Sequence, residues 1–255
     1  MLRLKAPWEL AMMRTSGRKL AEVVELLRES IQPGMSSNEL DELGEAAIRE
    51  RGGIPSFLGY RGGGNRPYPA SLCISVNHQV VHGVPGDRVF RDGDVVSIDL
   101  GLHYAGYHAD RAFTVVIGKV DPKVGDLLDA TRASLYMAIA QALPGNRTGD
   151  IGHAVESFVE PQGYSVIRDY VGHGIGKSLH EEPAVPNYGR PGTGVFLETG
   201  LCIAIEPMVS MGSHKTKVER NGWTVVTRDG ATTAHFEHSI AITEEGPEIL
   251  TTLNQ

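Results

Sequence analysis

The sequence is poor in cysteine, has no long hydrophobic segment and shows no surplus of basic residues. Cys73 and Cys202 lie far apart in apolar segments without Cys-x-x-Cys spacing, so we expect reduced, buried thiols and neither a disulfide nor a zinc knuckle. Nowhere do about 18 apolar residues follow one another, and the start MLRLKAPWEL lacks the apolar stretch of a secretion signal. The net charge of −7, without a Lys/Arg cluster, argues against nucleic acid or an anionic membrane as the main partner. We therefore expect a globular cytoplasmic protein.

The first fifty residues predict two helices. Apolar residues between 8 and 31 recur alternately four and three positions apart, which places them on one stripe of a helix. Pro33-Gly34 ends this helix, and Ser36 to Glu39 fits a capping box at the start of the next one. Gly52-Gly53 ends the second helix.

The same arrangement returns later in the chain. Residues 121–142 and 148–160 predict two more helices, and matching positions keep a constant offset of 111, as between Pro33 and Pro144. This repeat indicates an internal duplication. We expect an α+β fold in which helices cover the outer face of a mostly antiparallel, pseudo-twofold sheet. Residues 1–255 would form a single domain of two related halves, roughly 1–118 and 119–255, with the functional site in the cleft between them.

Residues 94 to 118 predict a β-hairpin that carries two aspartates. β-branched and aromatic residues lead into and out of a small Ala105-Gly106 tip, which suits a two-residue loop. With such a loop Asp99 lies opposite Ala112 and diagonal to Asp110, so both carboxylates share one face. Two adjacent acids repel each other unless one is protonated or cations lie nearby, and a divalent metal pair would suffice. Two solvated acids of an edge strand are the alternative.

Three further groups stand in contexts that do not explain them individually. His173 lies in a segment too rich in glycine for a helix, and a hydrogen-bonded loop histidine is the alternative to a metal ligand there. Residues 201–210 and 233–243 predict strands, in which Glu206 precedes a proline and Glu237 lies mid-strand. An acid in an apolar strand is rarely buried without a partner.

Together these groups form an oxygen-rich set of four carboxylates and one imidazole: Asp99, Asp110, His173, Glu206 and Glu237. Such a set suits two divalent ions such as Mn²⁺, Fe²⁺, Co²⁺ or Zn²⁺, whose charges the acids would about neutralise. Two ions close together can make a water nucleophilic and polarise a carbonyl, which is the apparatus of metal-assisted hydrolysis. His235 shares the predicted face of Glu237 and could support the ligands.

Four short motifs accompany these five residues in chain order: HGVP at 82–85, GHGIG at 172–176, HEEP at 180–183 and EHSI at 237–240. The ordered pattern covers nearly the whole chain and resembles the type I methionine aminopeptidases of peptidase family M24. The resemblance implies the pita-bread (creatinase/aminopeptidase) fold in a single catalytic domain. It also implies hydrolytic removal of the initiator methionine from nascent proteins, with a preference for a small second residue.

The resemblance assigns roles to individual residues. Asp99 and Asp110 would bind both ions, His173 would bind one, and Glu206 and Glu237 would complete the set. Glu206 would also be the general base for the attacking water. Two histidines would line the substrate cleft: His180 would donate to the scissile carbonyl or its oxyanion, and His82 would contact the peptide nitrogen beyond the scissile bond.

The resemblance also implies a pocket for the methionine side chain, with walls from Phe57, Tyr60, Tyr68, Cys73 and Trp223. By periodicity alone these are core residues. The segment Arg61–Pro67 is longer than the family's usual segment, and Leu179 stands where many relatives carry an aromatic, which predicts a roomier pocket. Asn77 and Thr233 match positions at which relatives bind a monovalent cation through backbone carbonyls.

Two alternatives remain open. X-Pro aminopeptidases and prolidases share the ligand set, but they carry an extra N-terminal domain, and the first predicted helix here begins within ten residues of Met1. A non-catalytic binding protein on the same scaffold would be expected to have lost ligands, and all five are present. The long insertion between Glu206 and Glu237 that marks the type II branch is absent. The expected partner is the N-terminal peptide of nascent proteins, bound by a monomer in transient association with the ribosome.

Overall fold

In the computed structural model, which describes residues 2–62 and 66–253, four α-helices accompany antiparallel strands. The helices are α1 (Pro7–Ser30), α2 (Ser37–Glu50), α3 (Pro122–Ala140) and α4 (Thr148–Val159), followed by a 3₁₀ turn at Glu160–Gln162. Each predicted helix is confirmed, with ends that differ by at most a few residues. Within the described ranges no helix has both the length and the apolar character that a bilayer crossing requires.

The starts of α2 and α4 are built alike. The Ser36 amide donates to the Glu39 carboxylate at 2.7 Å, and the Arg147 amide donates to the Asp150 carboxylate at 2.7 Å. Both Ser36 and Arg147 also form an isolated antiparallel bridge, to Val89 and to Phe196 respectively. The two capping bonds fall at positions related by the predicted offset of 111. They support the duplication, whereas the division into two halves stays a prediction.

The strands pair only in the antiparallel sense within the described residues. They are β1 (Ile54–Pro55), β2 (Leu72–Val76), β3 (Gln79–Val81), β4 (Val95–Tyr104), β5 (Tyr107–Val116), β6 (Ser165–Val166), β7 (Gly172–Gly174), β8 (Glu181–Val185), β9 (Cys202–Ile205), β10 (Met208–Ser210), β11 (Thr216–Val218), β12 (Val225–Thr227), β13 (Thr233–His235), β14 (His238–Thr243) and β15 (Gly246–Ile249). The expected sheet is divided into four parts, with orders β1-β4-β2 plus β5 beside β4, β13-β10-β6, β11-β12-β3 and β15-β14-β9-β7-β8.

The predicted hairpin is confirmed in its register. Tyr104 pairs with Tyr107 and Asp99 with Ala112, which leaves Asp110 diagonal to Asp99. Both tip residues have positive φ, 50° at Ala105 and 86° at Gly106, as a two-residue hairpin turn requires. On its other side β4 pairs with β2, where Cys73 lies opposite Asp99. Asp99 thus lies in a strand paired on both sides, and Asp110, on β5, is buried, so the alternative of two solvated edge-strand acids is wrong.

Two predicted strands are interrupted, and the interruptions fall at two of the acids. Residues 201–210 break at Glu206 because Pro207 has no N–H to donate to a ladder. Residues 233–243 break before His238, so Glu237 lies between β13 and β14 and not inside a strand. There the Glu237 amide donates to the Ala112 carbonyl of β5 at 3.0 Å, while the chain changes partner from β10 to β9.

The core lies between the helices and the hairpin. Leu20 and Leu27 of α1 belong to one buried cluster with Ile98 of β4 and Phe113 of β5. Since side chains alternate along a strand, the opposite face of the same hairpin carries Asp99 and Asp110 into a cavity. The amphipathic hairpin thus separates the apolar core from the polar site.

Candidate metal and substrate site

The five predicted ligands line one cavity of about 160 Å³. Asp99 comes from β4, Asp110 from β5 and His173 from β7, while Glu206 follows β9 and Glu237 precedes β14. The His173 Nε2 atom lies 3.9 Å from Asp110 Oδ2 and 3.7 Å from Glu206 Oε1. Ligand atoms of Asp110, His173 and Glu237 all lie within 4.8 Å of one another. The fold therefore brings residues from five separate segments to one place.

The carboxylates of this cluster lack the partners that buried acids need. Asp99 Oδ1, Asp110 Oδ1 and Glu237 Oε1 are buried without a hydrogen bond. Burial, with repulsion from Asp110, raises the pKa of Asp99, of Glu206 and of Glu237 well above the usual range. Burial likewise raises the pKa of Asp110 to about 7. Unpartnered acid oxygens grouped in this way fit divalent cations.

Hydrogen bonds fix the ligands in orientation. His173 Nδ1 lies 2.8 Å from the Gly174 carbonyl, which can only accept, so Nδ1 carries the proton and Nε2 turns its lone pair toward the acids. Burial lowers the pKa of His173 to about 3, which keeps the imidazole neutral. The Asp110 amide donates to Ser239 Oγ at 2.9 Å, and that hydroxyl donates back to the Asp110 carbonyl at 2.8 Å. Ser239 belongs to the EHSI motif, but nothing in the sequence indicates that its hydroxyl bonds to the backbone of Asp110.

His180 lies at the edge of the cavity, beside the ligands. Its ring centroid is 4.0 Å from that of His173, and its Nδ1 is 2.7 Å from the Tyr60 hydroxyl. The ring keeps contact with solvent, while its partial burial lowers its pKa. The contact with Tyr60 was not predicted, because it joins side chains that are remote in sequence.

His82 has an unusual backbone, with φ of 57°, and its ring is enclosed by aromatic neighbours. It meets Tyr170 edge-on at 5.6 Å and Trp223 edge-on at 6.4 Å between centroids. Burial, with repulsion from His180, lowers the pKa of His82 to about 4. Tyr170 is another neighbour that the sequence reasoning missed.

His235 lies behind the cluster, as its strand position suggested. Its buried Nε2 has no hydrogen bond and is 3.8 Å from Glu206 Oε2. Burial lowers the pKa of His235 to about 3, so the ring is neutral next to the acid.

All five residues expected to form the methionine pocket line the same cavity as the ligands: Phe57, Tyr60, Tyr68, Cys73 and Trp223. The single Tyr68 hydroxyl hydrogen is shared between the carbonyls of Leu72 and Gly83, 3.0 and 2.8 Å from the hydroxyl oxygen, and the ring meets Trp223 edge-on at 5.3 Å. Leu179 completes the lining. The expected effect of the long Arg61–Pro67 segment concerns residues 63–65, which lie outside the described residues.

Asn77 and Thr233, the positions matched to a monovalent-cation site, lie against each other. The Thr233 amide donates to the Asn77 carbonyl at 2.9 Å, and the Thr233 hydroxyl donates to the Gln79 carbonyl at 2.9 Å.

Comparisons with known proteins agree with this arrangement. The model of metallopeptidase family M24 matches residues 11–244. Methionine aminopeptidase 1 of Bacillus subtilis is 48% identical over 98% of this chain and 99% of that protein, and methionine aminopeptidase of Clostridium perfringens is 47% identical over the same shares. The solved structure of methionine aminopeptidase from Thermotoga maritima matches with a TM-score of 0.95 at 45% identity, covering 99% of this chain and 100% of that one. Prolidase from Pyrococcus furiosus, at 23% identity and a TM-score of 0.76, shares the fold over 99% of this chain and 66% of its own.

Proposed function

Because the chain belongs to metallopeptidase family M24 and is a metal-dependent aminopeptidase that removes N-terminal methionine, we propose which residues perform this reaction. The metal ligands would be Asp99, Asp110, His173, Glu206 and Glu237. The observation that carries this assignment is the group of buried acid oxygens without partners around a neutral imidazole. Four carboxylates match the charge of two divalent ions per chain, with Co²⁺, Mn²⁺, Fe²⁺ and Zn²⁺ as the candidates.

Divalent ions in such a site polarise the scissile carbonyl and make a water nucleophilic at neutral pH. Among this chain's own residues, Glu206 is the proposed general base. Its carboxylate lies within 4 Å of both His173 and His235. It would accept the proton of the attacking water and pass it to the leaving amine.

His180 is the proposed donor to the oxygen of the scissile carbonyl. The Tyr60 hydroxyl lies 2.7 Å from Nδ1 and can donate to it; in that tautomer the neutral ring carries its proton on Nε2, where it can stabilise the developing negative charge. A neutral ring suits this role, and the lowered pKa of His180 favours that form at neutral pH.

His82 is the proposed contact for the peptide nitrogen beyond the scissile bond. Its ring packs edge-on between the aromatic neighbours Tyr170 and Trp223. The methionine side chain would enter between Phe57, Tyr60, Tyr68, Cys73 and Trp223, since a flexible thioether packs well against aromatic walls.

We further propose that residues 1–255 act as one catalytic domain of two related halves, roughly 1–118 and 119–255. The equivalent caps of α2 and α4 support the duplication, and ligands from both halves meet in one cavity. Since one chain supplies the whole ligand set, a monomer suffices for activity. Nascent chains in the cytoplasm are the proposed substrates, with transient ribosome contact, and a monovalent cation at Asn77 and Thr233 stays a prediction.

A peptide competition with and without metal tests this proposal. The protein, exhaustively chelated, is mixed with Met-Ala-Ser, Met-Leu-Ser and Ala-Pro-Ser, and each metal is added back separately. We expect no turnover after chelation and release of methionine from Met-Ala-Ser once Mn²⁺, Co²⁺ or Fe²⁺ is restored. Full turnover without metal would contradict the ligand assignment. Preferential release of alanine from Ala-Pro-Ser would favour the X-Pro aminopeptidase alternative.

A further inference from the structure

Lys5 is a buried charged residue that the mechanism above does not use. Its side chain is 1% exposed, and its ammonium donates to Glu181 Oε2 at 2.8 Å, where the Glu181 side chain is 9% exposed. Glu181 directly follows His180 in the chain. We propose that Lys5 is a positioning residue, which holds His180 against the metal ligands through Glu181. This inference rests on the role proposed for His180.

The segment that carries His180 is closed by the Glu181 carboxylate. It connects β7 to β8, and its Ser178 amide donates to Glu181 Oε1 at 3.1 Å. The Gly176 amide donates to the Ser178 carbonyl at 3.1 Å, while the Gly176 carbonyl accepts from the His108 amide at 2.8 Å. One carboxylate oxygen thus ties the loop to itself, and the other oxygen ties it to Lys5.

Lys5 in turn is fixed by its backbone and by close packing. Its amide donates to the Gly200 carbonyl at 2.7 Å. A Cβ atom added at Gly176 would lie 2.7 Å from both Lys5 Cε and Glu181 Oε1, so the lysine stem fills the space beside the loop. Burial alone would raise the pKa of Glu181, but hydrogen bonds from Lys5 and Ser178 lower it, which keeps the Glu181 carboxylate ionised.

Removing the ammonium would leave a buried carboxylate without its partner. Such a charge is strongly unfavourable, and the loop can relieve it by moving Glu181 toward water. His180 would move with its neighbour, away from Tyr60 and His173. A misplacement of about 1 Å at a catalytic group can lower turnover by roughly 10²-fold.

A double-mutant cycle on the full chain tests the inference. Lys5→Met removes the charge but keeps the stem, and we expect it to lower kcat and kcat/KM together by roughly 10²-fold on Met-Ala-Ser, with metal content unchanged. In a His180→Ala background the same substitution should have little further effect, because the residue acts through His180. Lys5→Arg should retain more activity than Lys5→Met. Lys177→Met is the matched control, because it removes an exposed ammonium from the same loop and should keep kcat within about twofold.

The outcomes distinguish a wrong role for His180 from a wrong role for Lys5. If His180→Ala leaves kcat unchanged, the proposed role of His180 is wrong, and the inference falls with it. If His180→Ala lowers kcat but Lys5→Met does not, only the positioning role of Lys5 is overturned. The same holds if Lys5→Met lowers kcat by the same factor in the wild-type and in the His180→Ala background. Should Lys5→Met not fold, Glu181→Gln enters the same cycle, because it removes the carboxylate charge and keeps the shape, and the same criteria apply.

Discussion

Replacing Asp110 by asparagine should abolish activity and yet stabilise the metal-free protein. Burial raises the pKa of Asp110 from 3.8 to about 7. A carboxyl whose pKa is raised on folding contributes stability that is present below pH 4 and lost as the pH climbs through 7. At pH 8 the lost contribution amounts to about 4 kcal/mol, since each tenfold change in proton affinity corresponds to about 1.4 kcal/mol.

Asparagine removes this cost while keeping the shape of the side chain. Its amide can also donate to the unpartnered oxygens of Asp99 and Glu237. Under chelation at pH 8, we expect Asp110→Asn to raise the free energy of unfolding by up to about 4 kcal/mol, and to give no such gain at pH 4. Urea unfolding at both pH values measures the difference.

Asp94→Asn is the matched control, because Asp94 is buried but well partnered. Burial would raise its pKa, yet hydrogen bonds from the Arg91 amide, Asn77 and Arg88 lower it. This substitution should therefore destabilise the protein at pH 8. If Asp110→Asn destabilised the chelated protein at pH 8 as Asp94→Asn does, the argument that the buried, ionised Asp110 carboxylate costs stability would be refuted.

Three further predictions concern the reaction itself. His180→Ala should lower kcat by roughly 10² to 10³, as expected for the loss of one oxyanion donor, while the metal content measured by elemental analysis stays the same. A loss of metal would instead identify His180 as a metal ligand. Tyr60→Phe should lower kcat by roughly tenfold at constant KM, because it removes only the hydrogen bond to His180 and keeps the ring in the cavity. A rise in KM without a change in kcat would show that Tyr60 only lines the pocket. Met-Ala, Met-Gly and Met-Ser peptides should be cleaved much faster than Met-Leu or Met-Lys in a single competition, because a bulky second side chain must displace atoms packed near His82 and His180; equal rates would contradict this.

The hairpin could be predicted because its chemistry is local. A small tip between β-branched runs sets the loop length, and the alternation of side chains then places Asp99 and Asp110 on one face. The helices were predictable for the same reason, since their stripes and caps lie within a few residues. Local periodicity was thus enough to predict the helices, the hairpin and the face of the hairpin that carries Asp99 and Asp110.

The interruption at Glu206 has a local cause in Pro207, but the one at Glu237 needed information from other parts of the chain. Alternation suggested continuous strands, but the Glu237 amide bonds to the hairpin at Ala112, a contact that no local pattern shows. The pair of Lys5 and Glu181 and the contact of Tyr60 with His180 likewise join positions remote in sequence. Side-chain partners across such distances follow from tertiary packing and not from spacing.

The proposed ligands are spread along the chain from residue 99 to residue 237, and with this assignment the spread sets the timing of activity during translation. A nascent chain that has reached only the hairpin holds Asp99 and Asp110, but Ser239 and the Glu237 contact that fix the hairpin from behind do not yet exist. The site is completed only when β14 has been synthesised and has paired with β9. A ribosome that stops before β14 therefore releases an inert fragment, and each new molecule begins to process other chains only after β14 has been made and paired.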